Sequence, residues 1–151
     1  MKALCSRKFK KFGENSEFRP GAYAEGCSKI SIGDYVVIRP GTFLFADPTP
    51  GGGGITIEDK VLIGAGVHFY TNKHNFSDIT KLIYDQGYPA ATSEDSILLK
   101  TGCWVGAGAI LLPGVVVGKN SVVAAGAIVT RPVPDCAVVA GTPARIIKML
   151  T

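Results

Sequence analysis

Histidine is scarce in this sequence, with two in 151 residues, and tryptophan occurs once. Chemistry that needs a group titrating near neutrality therefore rests on His68 or His74. The four cysteines, Cys5, Cys27, Cys103 and Cys136, have no C-x-x-C spacing. They make neither a zinc motif nor a small secreted framework, so reduced thiols are expected. No stretch approaches the ~18 apolar residues of a membrane span, and the first residues lack the apolar run of a secretory signal. A soluble, cytoplasmic protein is the expectation. A distributed basic surface is also missing: Lys2, Arg7, Lys8, Lys10 and Lys11 outweigh the whole net charge of +4. A nucleic-acid groove would need basic residues interleaved with stacking aromatics over the folded surface, and no such stripe follows residue 11.

Glycine, by contrast, is abundant, at 19 residues. The 46% hydrophobic fraction argues against disorder and collagen, so the glycines are expected to serve recurrent tight turns. Their spacing bears this out. Branched apolar residues recur every six positions at Leu99, Val105, Leu111, Val117, Val123 and Val129. Three places after each stand Gly102, Gly108, Gly114, Asn120, Gly126 and Pro132, the first five of types that tolerate a left-handed turn. Upstream the same beat gives Phe12, Phe18 and Ala24, then Ile32, Ile38 and Leu44, then Ile57, Ile63 and Phe69. Five groups of three hexads result, with a glycine-rich corner between Leu44 and Ile57 and a long excursion between Phe69 and Leu99.

A hexad supplies one short strand with an inward apolar residue and one turn. Three hexads close a triangular coil, and five stacked coils make an all-β column roughly 24 Å tall. The period of six does not fit an ordinary sandwich, whose strands alternate with period two. The expected organisation is a basic segment over 1–11, a β-helix domain over 12–141 with an insertion loop at 75–98, and a capping helix over 142–151. Thr142-Pro143 reads as the helix start, with Ile146, Ile147 and Leu150 on one face. Val37, Leu62, Trp104, Ile110, Val116, Val122 and Ile128 fall in the outward register. Such an apolar band calls for burial against further copies of the chain.

Trp104-Val105-Gly106-Ala107, Pro113-Gly114-Val115, Ala124-Ala125-Gly126-Ala127-Ile128-Val129-Thr130 and Ala140-Gly141-Thr142-Pro143-Ala144-Arg145 resemble the hexapeptide-repeat acyltransferases. Within that superfamily the chain is similar to the maltose, galactoside and polysaccharide O-acetyltransferases. The resemblance implies a left-handed parallel β-helix, a homotrimer, and acetyl-CoA bound between adjacent columns as acyl donor. A zinc site between chains would want three nitrogen ligands, and two histidines per chain without a third argue against a metal. The handedness comes from the resemblance alone, since left-handed crossovers are exceptional.

Acetyl transfer requires a base for the acceptor, donors for the oxyanion and a slot for the CoA arm. His74, in Tyr70-Thr71-Asn72-Lys73-His74 at the start of the excursion, resembles the family's catalytic histidine. His68, six residues earlier in the outward register, reads as a groove-lining or interface residue. A carboxylate or amide should orient His74; Asp78, Asp85, Glu94, Asp95, Asn72 and Gln86 are candidates, and Asp85 is preferred because Asp85-Gln86-Gly87 resembles an element of related enzymes. The resemblance places the backbone N–H of Ala107 at the thioester oxygen and that of Ala125 along the pantetheine arm. Trp104 would wall the groove or anchor the subunit interface. Thr130, Arg131, Thr142, Pro143, Arg145 and Lys148 match the region that meets the nucleotide end of CoA. The implied activity is O-acetylation of a saccharide or glycoconjugate precursor. N-acetylation of a nucleotide-linked amino sugar, acetylation of an antibiotic and a non-enzymatic scaffold are the alternatives. Phe76, Tyr84 and Tyr88 in the excursion suit a sugar ring or simply pack the loop.

Overall fold

The structure, a computed structural model, describes residues 7–151. The first six residues of the basic segment, Cys5 among them, lie outside the described residues. Five coils are built from β1 (Lys11–Phe12), β2 (Glu17–Phe18) and β3 (Tyr23–Glu25); β4 (Ile30–Ile32), β5 (Val37–Ile38) and β6 (Phe43–Phe45); β7 (Ile55–Ile57), β8 (Leu62–Ile63) and β9 (His68–Tyr70); β10 (Ile97–Leu99), β11 (Trp104–Val105) and β12 (Ile110–Leu111); β13 (Val116–Val117), β14 (Val122–Val123) and β15 (Ile128–Val129). Strands of successive coils pair in parallel, giving three faces. The first face is β1-β4-β7-β10-β13 and the third is β3-β6-β9-β12-β15. The second, β2-β5-β8-β11-β14, continues into β16 (Ala137–Ala140) and β17 (Arg145–Met149).

The register reproduces the hexad beat. Ile32, Ile57, Leu99 and Val117 stack on the first face, Ile38, Ile63, Val105 and Val123 on the second, and Leu44, Phe69, Leu111 and Val129 on the third. All twelve are buried. Phe12, Phe18 and Ala24 of the lowest coil are only partly buried, with Phe9 closing beneath the two phenylalanines at ring distances of 5.8 and 5.5 Å. Burial in this interior pushes the Cys103 thiol up to about 12.

After the first and second faces the turn residue three places beyond the inward position adopts positive φ, as Gly102, Gly108, Asn120 and Gly126 do; after the third face Gly114 does so, whereas Asp47, Asn72 and Pro132 do not. Tyr35, Lys60 and Cys136 occupy the same place with φ near +56° to +58°. The stacked hydrogen bonds of neighbouring coils hold these three in a conformation that their side chains disfavour. That is why the glycine and asparagine pattern breaks upstream while the fold does not.

Two boundaries differ from the sequence expectation. The excursion runs over residues 71–96, because Ile97 and Leu98 already belong to β10; it contains a short helix, α1 (Ile83–Gln86), and a 3-10 turn at Ser93–Asp95. The capping helix over 142–151 does not form. Residues 145–149 instead make β17, which runs antiparallel to β16 with Ala140↔Arg145 and Ala137↔Met149 in register. The physical reason lies in β16, whose outer backbone edge would otherwise be unpaired; a strand satisfies that row of groups and a helix cannot. The preceding turn is also tied down, since Ala144 N–H donates to the Ile128 carbonyl at 2.8 Å. Ile146, Ile147 and Leu150 remain exposed rather than covering the open end as a helical stripe.

Candidate active site

The three edges of the column treat their turn N–H groups differently. At the edge between first and second faces, carboxylates of an adjacent coil accept them: Asp34 from Glu14, Asp59 from Asp34 and Asp135 from Lys119 one coil on, and Glu58 from Thr101 one coil back, all at 2.7–2.8 Å. The edge between second and third faces has no such side chains. There the turns are Gly64-Ala65-Gly66, Gly106-Ala107-Gly108 and Ala124-Ala125-Gly126, linked by Gly108 N–H to the Ala65 carbonyl and Gly126 N–H to the Ala107 carbonyl, both 2.9 Å. Among the described residues, the N–H groups of Ala107 and Ala125 have no hydrogen-bond acceptor. Ala107 and Ala125 are exposed, so two donors one coil apart are available to a ligand.

The close stacking of these turns explains the glycines. A Cβ on Gly106 would stand 2.5 Å from the Ala125 nitrogen, and one on Gly64 2.6 Å from that of Ala107, with only backbone around them. Gly106→Ala is therefore expected to destabilise the fold by ~1–3 kcal/mol, the usual cost of overpacking. Chemical denaturation checks this; a loss below about 0.5 kcal/mol would mean that the stacked turns have more room than their backbone distances allow.

Above the same edge sits the turn Gly141–Ala144, where Ile128 N–H donates to the Gly141 carbonyl at 3.1 Å. Thr142, Pro143 and Arg145 are exposed there, and Lys148 lies on β17 opposite Val138. Trp104 projects from the second face, in register with Leu62 below and Val122 above. Ala107, Ala125, Trp104, Thr142, Pro143, Arg145 and Lys148 thus gather around one edge and its flank. Thr130 and Arg131 do not join them in one chain. They follow β15 and stand exposed at the edge between third and first faces.

That third edge carries His74. Its ring, exposed in the single chain, lies 4.3 Å from the Tyr88 ring at 32°. Asn75 anchors the strand of chain beside it, donating from its N–H to the Gly87 carbonyl (2.9 Å) and from Nδ2 to the Gln86 carbonyl (3.2 Å). Asp85 sits exposed on α1 and makes neither hydrogen bond nor ion pair with His74, so the orienting role expected of it is not realised in this chain. Gln86 serves the loop itself, bridging Asp78 and Lys81. His68 points outward from β9, its Nδ1 2.9 Å from the Tyr70 hydroxyl and its ring against Phe43.

A cavity of about 280 Å³ opens at the third edge, lined by Glu25, Asp47, Thr71, Lys73, Tyr88 and Asp95 among others. The Thr49 N–H, 2.9 Å from Asp47, holds that carboxyl below the usual carboxylate range, and Lys29 adds to the effect. Lys73 pairs with Asp95 at 3.3 Å. Sequence reasoning did not single out Glu25 or Asp47. Their signal is positional: each follows an inward residue of the third face, in the stretch that leads into this edge.

Known proteins resemble this chain in sequence and fold. Residues 98–131 match the bacterial transferase hexapeptide (six repeats) family. The galactoside O-acetyltransferase of Lactococcus lactis subsp. lactis (strain IL1403) is 32% identical over 145 residues, covering 95% of this chain. The chain spans 64% of the length of that relative. A hexapeptide-repeat containing acetyltransferase from Vibrio cholerae O1 biovar eltor, solved in complex with acetyl coenzyme A, superposes with a TM-score of 0.84 at 32% identity, over 99% of this chain and 75% of that one. A galactoside acetyltransferase solved with coenzyme A gives a TM-score of 0.86 at 29% identity, over 99% and 69%. The column is thus the left-handed parallel β-helix of these structures. With close to the whole of its length aligned to them, the chain belongs to the hexapeptide-repeat transferase family.

Proposed function

We propose that this chain transfers an acetyl group from acetyl-CoA to a hydroxyl of a saccharide or glycoconjugate precursor, as a homotrimer. The observation that carries the reading is the edge between second and third faces, where N–H donors are left unpaired over successive coils beneath the exposed Thr142 and Arg145. Such an edge suits a pantetheine arm running along the column, with the nucleotide end near Arg145 and Lys148.

The trimer reading is supported by where the other half of the chemistry lies. His74 and Ala107 stand at opposite edges of the third face, and a six-residue hexad spans at most about 20 Å. Both groups reach one thioester when the His74 edge of one chain meets the Ala107 edge of its neighbour. Thr130 and Arg131, on the His74 edge, then join the CoA groove from the second chain. The acceptor enters the cavity beside Tyr88 and Asp47. The His74 imidazole takes the hydroxyl proton as the oxygen attacks the thioester carbonyl. The Ala107 N–H of the neighbour stabilises the oxyanion, and collapse expels the CoA thiolate, which recovers the proton from the imidazolium.

A second reading, N-acetylation of an amino sugar, is favoured by the carboxylates of Glu25, Asp47 and Asp95 facing Lys73 alone in the cavity. Thiol release from acetyl-CoA with a panel of neutral sugars, amino sugars and antibiotics decides between them. CoA alone is expected to raise the melting temperature, because a ligand bound only to the native state stabilises it. A chain that is neither stabilised by CoA nor able to release thiol with any acceptor would be a scaffold, and the proposal would fail.

A further inference from the structure

The glycine run Gly51-Gly52-Gly53-Gly54 turns the corner from the third face into β7 of the first, and no step of the chemistry above uses it. Without side chains the corner presses against two neighbours. A Cβ on Gly53 would stand 2.8 Å from the Asp95 carbonyl carbon, and one on Gly54 2.7 Å from the Lys29 carbonyl oxygen. The corner and the 3-10 turn at Ser93–Asp95 thereby form one wall with two sides. Thr49 and Asp95 line the acceptor cavity beside Tyr88, while Gly52, Gly54, Ser93 and Ser96 line a second hollow on the first face.

That second hollow, about 470 Å³, is lined by lysine, serine, threonine and glycine alone. Lys10 borders it and is exposed. Lys29, half-buried, is braced by donating from Nζ to the Thr49 and Gly52 carbonyls, which engages two of its three ammonium protons. Outward hydroxyls make the floor, with Ser31 of β4 in register with Thr56 of β7. Ser96 accepts from the Gly54 N–H at 3.0 Å; the hydroxyls of Ser28, Ser31, Thr56 and Ser93 have no hydrogen-bond partner among the described residues. The surrounding carboxylates are engaged elsewhere. Asp47, which feels the Lys29 charge, lines the acceptor cavity on the other side of the wall, and Glu58 and Asp59 accept backbone N–H groups at the edge between first and second faces. Two ammonium groups over unengaged hydroxyls suit a phosphate, and the lining holds no aromatic platform for a neutral sugar ring.

We infer that the hollow between Lys10 and Lys29 binds a phosphate group carried by the acceptor, a phosphate monoester or diphosphate on the saccharide whose hydroxyl reaches His74 across the wall. The two hollows differ in charge: Glu25, Asp47 and Asp95 face Lys73 alone in the cavity beside Tyr88, whereas the lining on the first face has no carboxylate. An acceptor with one anionic end therefore binds in one orientation only. This rests on the acetyl transfer proposed above and narrows its acceptor to phosphorylated saccharides.

Calorimetric titration of the full-length protein with inorganic pyrophosphate tests the site without turnover. One site per chain is expected. Lys10→Gln and Thr56→Glu should each weaken binding roughly 10- to 100-fold, the change that loss of one charged hydrogen bond brings. Both positions are exposed, so the circular dichroism spectrum should stay that of wild type. In thiol-release assays, wild type should prefer a glycosyl phosphate to the corresponding methyl glycoside, and Lys10→Gln should narrow that preference by the same factor. Vesicles carrying a polyprenyl phosphate form a parallel arm. Lys10-dependent binding to them assigns the phosphate to a lipid carrier, and Lys10-dependent binding of the soluble glycosyl phosphate alone assigns it to a soluble precursor; either supports the site. Three results would each overturn it: no pyrophosphate binding, binding indifferent to Lys10→Gln and Thr56→Glu, and binding that CoA displaces and Arg145→Gln abolishes, which would put the anion in the donor groove. Absence of acetyl transfer with every acceptor would count against the proposed function, while the calorimetry judges this site separately.

Discussion

Replacing His74 with alanine is expected to lower acetyl transfer by roughly 10²–10⁴-fold, the range that a positioned general base contributes. The loss should fall on kcat, with CoA affinity close to that of wild type. The reason is the division of labour proposed above: the backbone N–H groups of Ala107 and Ala125 hold the donor, whereas the imidazole of His74 takes the acceptor's proton. Folding should be untouched too, because the imidazole is exposed and packs on one aromatic ring only. Steady-state kinetics beside a CoA titration check the split. A variant with wild-type kcat would remove His74 from the reaction, and a variant with lost CoA binding would place it in the donor site instead.

Phe69→Ala should cost ~3–5 kcal/mol of stability, the usual price of emptying a buried phenylalanine site. Phe69 is fully buried in the third face between Leu44 and Leu111. Its neighbours cannot collapse into the void, because each is pinned by backbone pairing to the coils above and below. The same residue fixes the strand from which the excursion springs, with outward His68 and Tyr70 on either side. Denaturant unfolding at fixed protein concentration measures the effect. A loss below about 1 kcal/mol would mean that the column relaxes along its axis far more readily than its ladder implies.

The column itself was legible because one physical rule repeats. Every sixth residue must be apolar to fill the interior, and after the first and second faces the residue three later must tolerate positive φ, so Leu99 through Val129 declare the coil without help from neighbours. Tyr35 and Lys60 hid that rule upstream, since stacked hydrogen bonds impose the turn there regardless of side chain. The chain end was misread for a different reason. Thr142-Pro143 satisfies the local chemistry of a helix start, but the open edge of β16 is a tertiary demand that no local window contains. Ala107 and Ala125 entered through resemblance, and what makes their edge distinct is the lack of side-chain caps that Asp34, Asp59 and Glu58 provide at another edge. Asp85 makes no contact with His74 within one chain, since proximity along a loop says little about direction in space. Glu25 and Asp47 come from separate coils, and only folding places them in one cavity.

The reversed last strand settles a problem inherent in self-similar architecture. A column of parallel rungs offers at its summit the same template that each rung already used, and nothing in the hexad beat says where to stop. By turning back on β16 with a register shift between Val138 and Val139, β17 replaces that template with one of opposite polarity and broken rhythm. A second column arriving end-on at the second face would meet an antiparallel strand in place of a parallel rung, which disfavours continuation of the hexad ladder there.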